Sequence, residues 1–349
     1  MRRAAIAFAL LAAALFGAST PLAKALIGEV APLVLAGLLY LGSGIGLVVW
    51  LFFRNLFRMP REEAMLRMPD LPWLAGSVIA GGIAGPALFM FGLAATDAAS
   101  ASLLLNLEAV FTAALAWIAF RENVDARVFL GMVCIVAGGA VLAWPGSLET
   151  AGLAGPLLIA AACFAWALDN NLTRRISGGN PVVIAATKGL CAGAATLALG
   201  LANGGALPSI AISAAAATLG LVGYGISLVL FILALRDLGA ARTGAYFSVA
   251  PFFGAALALA LFGAPASLAF WVAGALMALG VWLHLTERHE HEHVHEATEH
   301  EHSHAHDEHH RHDHGFAWDG HEPHSHSHRH ERLAHRHPHY PDTHHRHAH

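Results

Sequence analysis

The feature that most constrains this chain is a succession of apolar segments, each about twenty residues long, that ends near residue 286 of 349. A helix of about twenty residues spans the hydrocarbon core of a bilayer, so a chain with many such segments folds as a bundle of membrane helices. Only 13% of the residues are charged, far fewer than in a soluble domain. We predict an all-α membrane protein with ten transmembrane helices, over residues 4–27, 31–53, 72–95, 99–120, 127–145, 151–171, 181–202, 210–235, 241–262 and 267–286.

Basic residues fall in alternate connections between these segments. Arg or Lys is present at 2–3, 54–67, 121–127, 174–175, 236–242 and 288, and the intervening connections have none. Since basic loops stay in the cytoplasm, the alternation predicts a multi-pass protein of a bacterial-type inner membrane with both termini cytoplasmic. Arg2 and Arg3 before an apolar run also suit a signal peptide, but we expect this segment to remain as the first helix.

The two halves of the apolar region resemble each other at an offset of roughly 140–150 residues. Phe91-Gly-Leu-Ala-Ala-Thr-Asp97 matches Phe231-Ile-Leu-Ala-Leu-Arg-Asp237, and the Pro32 and Pro181 segments match similarly. Each copy has five segments, and because five is odd the second copy must enter the membrane from the opposite side. The pattern predicts two inverted five-helix repeats, residues 1–145 and 151–286, as in many secondary transporters.

One stretch carries a more specific signal. Ala109-Val110-Phe111, followed by Glu122 and Gly131, resembles the fourth span of EamA-type members of the drug/metabolite transporter (DMT) superfamily, and Ala250-Pro251-Phe252 resembles their ninth span. The resemblance covers residues 4–286. It implies a secondary transporter that exports a small metabolite or an amino-acid-like compound by alternating access around a central cavity.

The chain departs from that family at two positions. Ala109 stands where the family has a proline. Leu39 stands where the second span of the family often has a basic residue, and its counterpart in the second repeat is Lys188. If this basic position contacts substrate, Lys188 alone fills the role.

Ionisable residues inside lipid-length segments are costly, and they normally face a bundle interior or a watery cavity. Glu108 and Lys188 fall at similar depths in their segments, so we predict that both face the cavity, either paired or each contacting substrate. The further cavity candidates are Asn106, Tyr246 and Ser248, with Ser248 aligned to Glu108. Two alternatives are open: Glu108 couples transport to protons, or it is hydrogen-bonded in a packed bundle and binds nothing.

Other polar residues in the spans have simpler explanations. Lys24 can reach the membrane surface as an anchor, and helix capping or loop contacts explain Asp169 and Asn170 as well as binding does. The sequence has no nucleophile triad, phosphate-binding loop or zinc-protease motif, so we predict no enzyme, no required cofactor and no nucleic-acid partner.

The tail, residues 287–349, is of a different kind. It holds 13 acidic residues, 6 basic residues and every histidine of the chain except His284. Such a segment cannot bury apolar area, so we predict a disordered cytoplasmic tail. Imidazoles with carboxylates suit weak binding of divalent transition metals without a fixed site, and the candidates are His289, His291, His293, His295, His302, His304, His306, His326, His328 and His330. Its other interpretation is a solvated, pH-dependent polyelectrolyte.

The leading hypothesis is a transporter whose partners are a small-molecule solute and the lipid bilayer. The alternatives are a transporter of Zn, Ni or Co ions that uses the tail, or a membrane-anchored metal buffer. A homodimer is a further partner hypothesis.

Overall fold

The computed structural model describes residues 2–57, 68–120, 126–144, 153–176, 180–238, 243, 246–263, 266–286, 289–295, 299–304, 324–329 and 333–339. The chain forms two units, Met1–Glu287 and Arg288–His349. Each is described by itself.

The first unit is built of helices. They are α1 (Arg2–Ile27), α2 (Pro32–Leu56), α3 (Leu71–Ser77), α4 (Gly85–Ala94), α5 (Ala98–Leu104), α6 (Leu107–Phe120), α7 (Ala126–Ala143), α8 (Ala154–Ile176), α9 (Pro181–Ala202), α10 (Ile210–Gly220), α11 (Ser227–Leu238), α12 (Ala250–Phe262) and α13 (Leu268–Leu285). A 3₁₀ turn, Met68–Asp70, precedes α3.

Local sequence explains where several helices begin. Pro32 and Pro181 are the first residues of α2 and α9, where a proline costs nothing because the first amide has no partner within the helix. The side chain of Asn180 accepts hydrogen bonds from the amides of Val182 and Val183 and so caps α9. Asp97 caps α5 in the same way.

The membrane character of the first unit is visible in its surface. Seven helical segments of the described chain are long and apolar enough to cross a bilayer: 4–27, 32–56, 68–94, 98–115, 126–143, 182–202 and 210–231. Large apolar side chains such as Phe52, Ile118 and Leu268 are exposed on the outside of the bundle, as expected of a lipid-facing surface. Helices 250–262 and 268–283 are apolar but shorter, and α8 ends in polar sequence. The structure therefore supports a multi-pass bundle, with fewer clear crossings than the ten predicted.

The two halves share the same irregularities. A π-helical turn, Val78–Ala84, joins α3 to α4, and a second one, Leu221–Ile226, joins α10 to α11. A break at 105–106 separates α5 from α6, and a break at 248–249 precedes α12. The π-helical turns and the breaks recur at the same separation along the chain, which supports the repeat predicted from sequence.

The packing of the halves is reciprocal. Helix α2 packs along α9, its counterpart, and α7 packs along α13. Helix α8 packs on α4 and α6, just as α1 packs on α11 and α12. Each helix of one copy thus packs on the same helices of the other copy as its counterpart does in return. Such reciprocal packing relates the two copies by an approximate two-fold axis.

Small residues allow this close packing. A Cβ atom on Gly42 would collide with the backbone of Ala217, and one on Gly44 would collide with the backbone at Gly189 and Leu190. These glycines therefore let the helix backbones approach each other closely.

The described residues of the second unit form four strands: β1 (His289–His295), β2 (Glu299–His304), β3 (His324–Arg329) and β4 (Leu333–His339). Strand β1 pairs with β4 and β2 pairs with β3, both antiparallel, as two separate two-stranded ribbons. The predicted disorder of the tail is not confirmed. Strands over these segments suit the alternation of histidine with other residues, because a period of two is that of a β-strand.

Candidate functional site

The helical unit holds an ion pair between α8 and α9. The Lys188 Nζ atom lies 2.7 Å from Asp169 Oδ1 and 2.6 Å from Asp169 Oδ2, so the ammonium donates to both oxygens. Both side chains are largely buried, with 18% of Lys188 and 10% of Asp169 exposed. A buried pair of this kind is stable only while both partners are present.

Two hydroxyl groups complete the surroundings of Asp169. Ser77, the last residue of α3, donates to Asp169 Oδ1, and so does Thr173 Oγ1, one helical turn further along α8, at 2.9 Å. We call Asp169, Lys188, Ser77 and Thr173 the ion-pair cluster. With four donor contacts on one carboxylate, the negative charge of Asp169 is compensated inside the bundle.

Gly81, in the first π-helical turn, forms one wall of this cluster. A Cβ atom at Gly81 would overlap the Asp169 carboxylate, so only glycine lets the turn approach so closely. The carbonyl oxygen of Gly81 accepts two side-chain hydrogen bonds, from Tyr40 Oη at 3.1 Å and from Trp166 Nε1 at 3.0 Å. The π-helical turn is thus tied to α2 and α8 by side chains as well as by packing.

Glu108 lies in the first turn of α6, directly after the break at 105–106, and is half-buried. Asn170 Nδ2 donates to Glu108 Oε1 at 2.8 Å and to Thr112 Oγ1 at 3.4 Å. We call Glu108, Asn170 and Thr112 the Glu108 group. Within the described residues Glu108 is in no ion pair, so its carboxylate differs from that of Asp169.

The two polar groups adjoin each other because Asp169 and Asn170 are consecutive residues of α8. Their side chains leave the helix in different directions, one to α9 and one to α6. The arrangement places an ion pair beside a carboxylate that has no ion pair among the described residues.

Aromatic side chains occupy the region around the second π-helical turn, where α1 and α2 meet the second repeat. Tyr224, in the second π-helical turn, contacts Tyr40 and Phe16 with ring centroids 5.6 and 5.8 Å away. Phe16 also contacts Phe247, which precedes the break at 248–249, at 5.5 Å. Through Tyr40 this aromatic cluster is linked to the carbonyl oxygen of Gly81 and so to the ion-pair cluster.

Corresponding positions in the two repeats therefore carry unlike chemistry. Lys188 and Leu39 are both the eighth residue of their helices, and Leu39 is buried among apolar side chains. Glu108 and Pro251 are both the second residue of theirs. Counted from the helix breaks, Pro251 takes the position of Glu108, and the sequence alignment that gave this position to Ser248 was displaced by three residues.

The structure distributes the predicted cavity residues unevenly. Glu108 and Lys188 lie in adjoining polar groups, but Lys188 is paired with Asp169 and not with Glu108. Asn106 is buried in the break, where its side-chain amide donates to the Leu103 carbonyl oxygen at 2.9 Å and contacts Met277 Sδ. Its side chain therefore caps the end of α5. Tyr246 and Ser248 are half-buried beside Phe247, at the break in the second repeat.

The structure gives Asp169 and Lys24 definite partners. Asp169, for which the sequence leaves capping, loop contacts and binding equally open, is the centre of the ion-pair cluster. The Lys24 Nζ atom donates to the carbonyl oxygens of Leu93, Ala94 and Thr96, at 2.5, 3.1 and 2.8 Å, and so caps the end of α4.

No group of three or more His, Cys, Asp or Glu side chains is gathered as a metal centre in the part of the chain that the structure describes. Of the tail candidates, His306 and His330 lie outside the described residues, as does the family-motif residue Glu122. The other eight candidates lie on strands: His289, His291, His293 and His295 on β1, His302 and His304 on β2, and His326 and His328 on β3.

The fold resembles that of a solved crystal structure, with a TM-score of 0.59 and 20% sequence identity over 79% of this chain and 95% of that chain. Among sequences, the chain is 29% identical over 286 residues to an "Uncharacterized transporter" of Methanothermobacter thermautotrophicus (strain Delta H), covering 77% of this chain and 82% of that protein. It is 28% identical over 173 residues to "Uncharacterized transporter YyaM" of Bacillus subtilis (strain 168), covering 48% of this chain and 54% of the relative.

The model of one transporter family matches the chain twice, over residues 3–144 and 153–286. The two matches include the two π-helical turns, the two helix breaks and both polar groups of the site. A multi-pass helical unit with two copies of this domain is a membrane transport protein, and the chain belongs to the EamA-like transporter family.

Proposed function

We propose that this protein is a secondary transporter that exports a small metabolite by alternating access, with Glu108 as its principal substrate contact. The observation that supports Glu108 most directly is its carboxylate, which lies at a helix break within a membrane span and has no ion pair among the described residues. An ionisable group in this setting normally marks the path of a substrate or an ion.

The topology that goes with this function is ten spans in two inverted repeats. The reciprocal packing of α2 with α9 and of α7 with α13 supports an approximate two-fold axis between the copies. Five spans in each copy would make that axis lie in the membrane plane, which is the arrangement that allows one half to rock against the other around a midplane site. Both termini are then cytoplasmic, in an inner membrane.

The ion-pair cluster has a second role in the proposal. Because Lys188 is held by both oxygens of Asp169, its charge does not need a substrate carboxylate for compensation. Asp169 and Lys188 instead link α8 to α9 and so position Asn170, the hydrogen-bond donor to Glu108. Tyr246 and Ser248, at the break in the second repeat, form the opposite wall of the proposed site.

The test is a solute screen in membrane vesicles that carry the protein, read by mass spectrometry, with a pair of matched variants. Glu108→Gln removes the charge but leaves an oxygen that can accept from Asn170. Glu29→Gln makes the same chemical change at an exposed position between α1 and α2. We expect vesicles with the unaltered protein and vesicles with Glu29→Gln to accumulate the same solute. Vesicles with Glu108→Gln should not accumulate it.

Two results would count against the proposal in different ways. If no solute moves with any version, the proposed function fails. If Glu108→Gln transports as well as Glu29→Gln, transport stands and the assignment of Glu108 fails.

The histidine-rich tail favours a second candidate, transport or buffering of a divalent transition metal. Metal tolerance and accumulation would be compared in cells that lack the protein, carry it whole, carry it cut after Glu287 or carry the tail alone. Equal results in all four exclude metal transport. Full metal efflux by the cut form makes the tail accessory, and tolerance restored by the tail alone favours buffering.

A further inference from the structure

One face of α8 changes from buried to exposed at Asn170. Ile159, Cys163, Trp166 and Asn170 follow each other at intervals of three or four residues, so they lie on the same face of the helix. The first three are at most 9% exposed, whereas Asn170 is exposed. The packing that closes this face over the preceding turns therefore opens at Asn170.

The face in question is directed at the first repeat and not at lipid. Ile159 lies against α4, where an added Cβ atom on Gly92 would collide with it. Cys163 Sγ contacts the last carbonyl oxygen of α5 at 3.7 Å, and Trp166 donates to the first π-helical turn. Asn170 continues this series with its contacts to α6. The opening thus lies inside the bundle, where an ionisable group of a membrane span is expected to face it.

The Glu108 group supplies hydrogen-bond acceptors at this opening. Asn170 Nδ2 donates to Glu108 Oε1 and to Thr112 Oγ1. Among the described residues, no side chain or backbone amide donates to Glu108 Oε2 or to Asn170 Oδ1. Together with the second lone pair of the Thr112 hydroxyl, the group therefore has three oxygens that can accept a hydrogen bond from a ligand.

The lysines of the protein do not neutralise this group. The chain has two lysines, Lys24 and Lys188. Lys188 donates to both oxygens of Asp169, and Lys24 donates to three backbone carbonyl oxygens at the end of α4. Within the part of the chain that the structure describes, Glu108 has no ion pair. The ligand that this opening favours is therefore a cation.

The acceptors fit an ammonium group better than a metal ion. A primary ammonium carries one positive charge and three N–H donors, which match one carboxylate and three acceptor oxygens. A transition-metal site needs several ionisable or imidazole ligands, and no three His, Cys, Asp or Glu side chains are gathered among the described residues.

Aromatic rings adjoin the group on both of its helices. Phe111 lies three residues after Glu108 on α6, so it shares that side of the helix. Its ring contacts the ring of Phe164 on α8, with centroids 5.7 Å apart and planes at 87°. An apolar body attached to the ammonium would find apolar contacts here. A second charge, such as the carboxylate of an amino acid, would meet no lysine that is not already engaged.

We propose that the substrate is an organic amine with a single positive charge and an apolar body, and that Glu108, Asn170 and Thr112 bind its ammonium group. The inference rests on the proposed function and narrows the small metabolite to one chemical class. It sets aside amino acids and organic anions as substrates.

The test measures binding to the purified full-length protein in detergent by isothermal titration calorimetry. The ligands share one apolar body and differ in charge: 2-phenylethylamine, 2-phenylethanol, 3-phenylpropionate and phenylalanine. A second series carries a hexyl chain in place of the ring. The variants are Glu108→Gln, which removes the charge, Glu108→Asp, which keeps it, and Thr112→Val, which removes one acceptor. Glu29→Gln, at an exposed position between α1 and α2, is the control.

We expect the unaltered protein and Glu29→Gln to bind an amine about tenfold or more tightly than its alcohol, anion or amino-acid counterpart, because hydrogen bonds to charged groups are the strong ones. Glu108→Gln should abolish this preference and Glu108→Asp should retain part of it. Thr112→Val should weaken the amine severalfold and leave the alcohol unchanged.

The ligand comparison on the unaltered protein does not require any variant to fold. If amines of both series bind no better than their alcohols, the inference is wrong, and Glu108 is then a site for a proton alone. Phenylalanine bound as tightly as 2-phenylethylamine would also overturn it, as would a preference for amines that survives in folded Glu108→Gln.

The vesicle screen separates this inference from the proposed function. If amines bind through Glu108 but no solute moves in vesicles, the substrate class stands as a ligand class and the transport function fails. If the vesicles accumulate an anion or an amino acid through Glu108 and no amine above the Glu108→Gln background, transport stands and the substrate class fails.

Discussion

Lys188 Nζ contacts both carboxylate oxygens of Asp169, at 2.7 and 2.6 Å, and so links α9 to α8. The next residue of α8, Asn170, donates to Glu108 at 2.8 Å. Consecutive residues of α8 thus belong to two carboxylate sites, one with an ion pair and one with no ion pair among the described residues. The proposed function depends on this difference.

Removal of one partner of the ion pair should destabilise the protein more than removal of both. Asp169→Leu leaves the Lys188 ammonium buried without its counter-ion, which costs about 3–5 kcal/mol when a buried pair is broken. Combining Asp169→Leu with Lys188→Met replaces both charges by apolar groups and should restore most of that loss. Thermal unfolding in detergent measures both effects.

The same double variant separates a structural role from a role in transport. If the pair positions Asn170 and Glu108, the double variant should unfold near the temperature of the unaltered protein yet transport the solute several-fold more slowly. Full transport by the double variant would show that the pair contributes stability alone.

Gly81→Ala should be among the most damaging substitutions of a small residue. The added methyl group would overlap the Asp169 carboxylate, so either the π-helical turn or the ion pair must move. Overpacking of this kind costs about 1–3 kcal/mol. Gly139→Ala in α7 is the matched control, because its added Cβ would meet side chains only at ordinary distances of 3.6–3.7 Å. Equal unfolding temperatures for the two variants would contradict the close approach of Gly81 to Asp169.

Lys24→Met should lower stability without abolishing transport. It removes the ammonium that donates to three carbonyl oxygens at the end of α4, and a cation at a helix C-terminus contributes up to about 2 kcal/mol in a partly buried setting. Lys24→Arg retains the charge and should fall between Lys24→Met and the unaltered protein. Chemical unfolding measures the order of stability of the three proteins. If Lys24→Met lowers the transport rate as much as Glu108→Gln does, Lys24 belongs to the transport site.

Much of the helical unit follows from sequence. Prolines, caps and apolar length determine where α2 and α9 begin. Because charged side chains within a membrane normally face the bundle interior, the sequence also indicates Glu108 and Lys188 as interior residues. The partner of Lys188 was missed, although a signal for it exists. Asp169 and Lys188 lie equally far before and after the connection between α8 and α9, so they lie at similar heights if the two helices run in opposite directions.

Other features depend on packing that a single sequence does not specify. Glycines such as Gly81 and Gly82 are typical of close helix approach, but they do not specify the π-helical turn there, whose Gly81 carbonyl oxygen accepts hydrogen bonds from Tyr40 and Trp166. The alignment of Ser248 with Glu108 erred by three residues because alanine-rich segments align equally well in several registers. The helix breaks, visible only in the structure, set that register.

Alternating access at the Glu108 group is the central claim, and it can be tested without knowledge of the substrate. A single cysteine would replace Thr112, which receives a hydrogen bond from Asn170, in a background without Cys134, Cys163 and Cys191. Ser209→Cys, an exposed position before α10, serves as the control for one-sided access. A membrane-impermeant thiol reagent is applied to right-side-out and to inverted vesicles. The account predicts labelling at position 112 from both sides and at position 209 from one side only, and labelling of position 112 from a single side would contradict it.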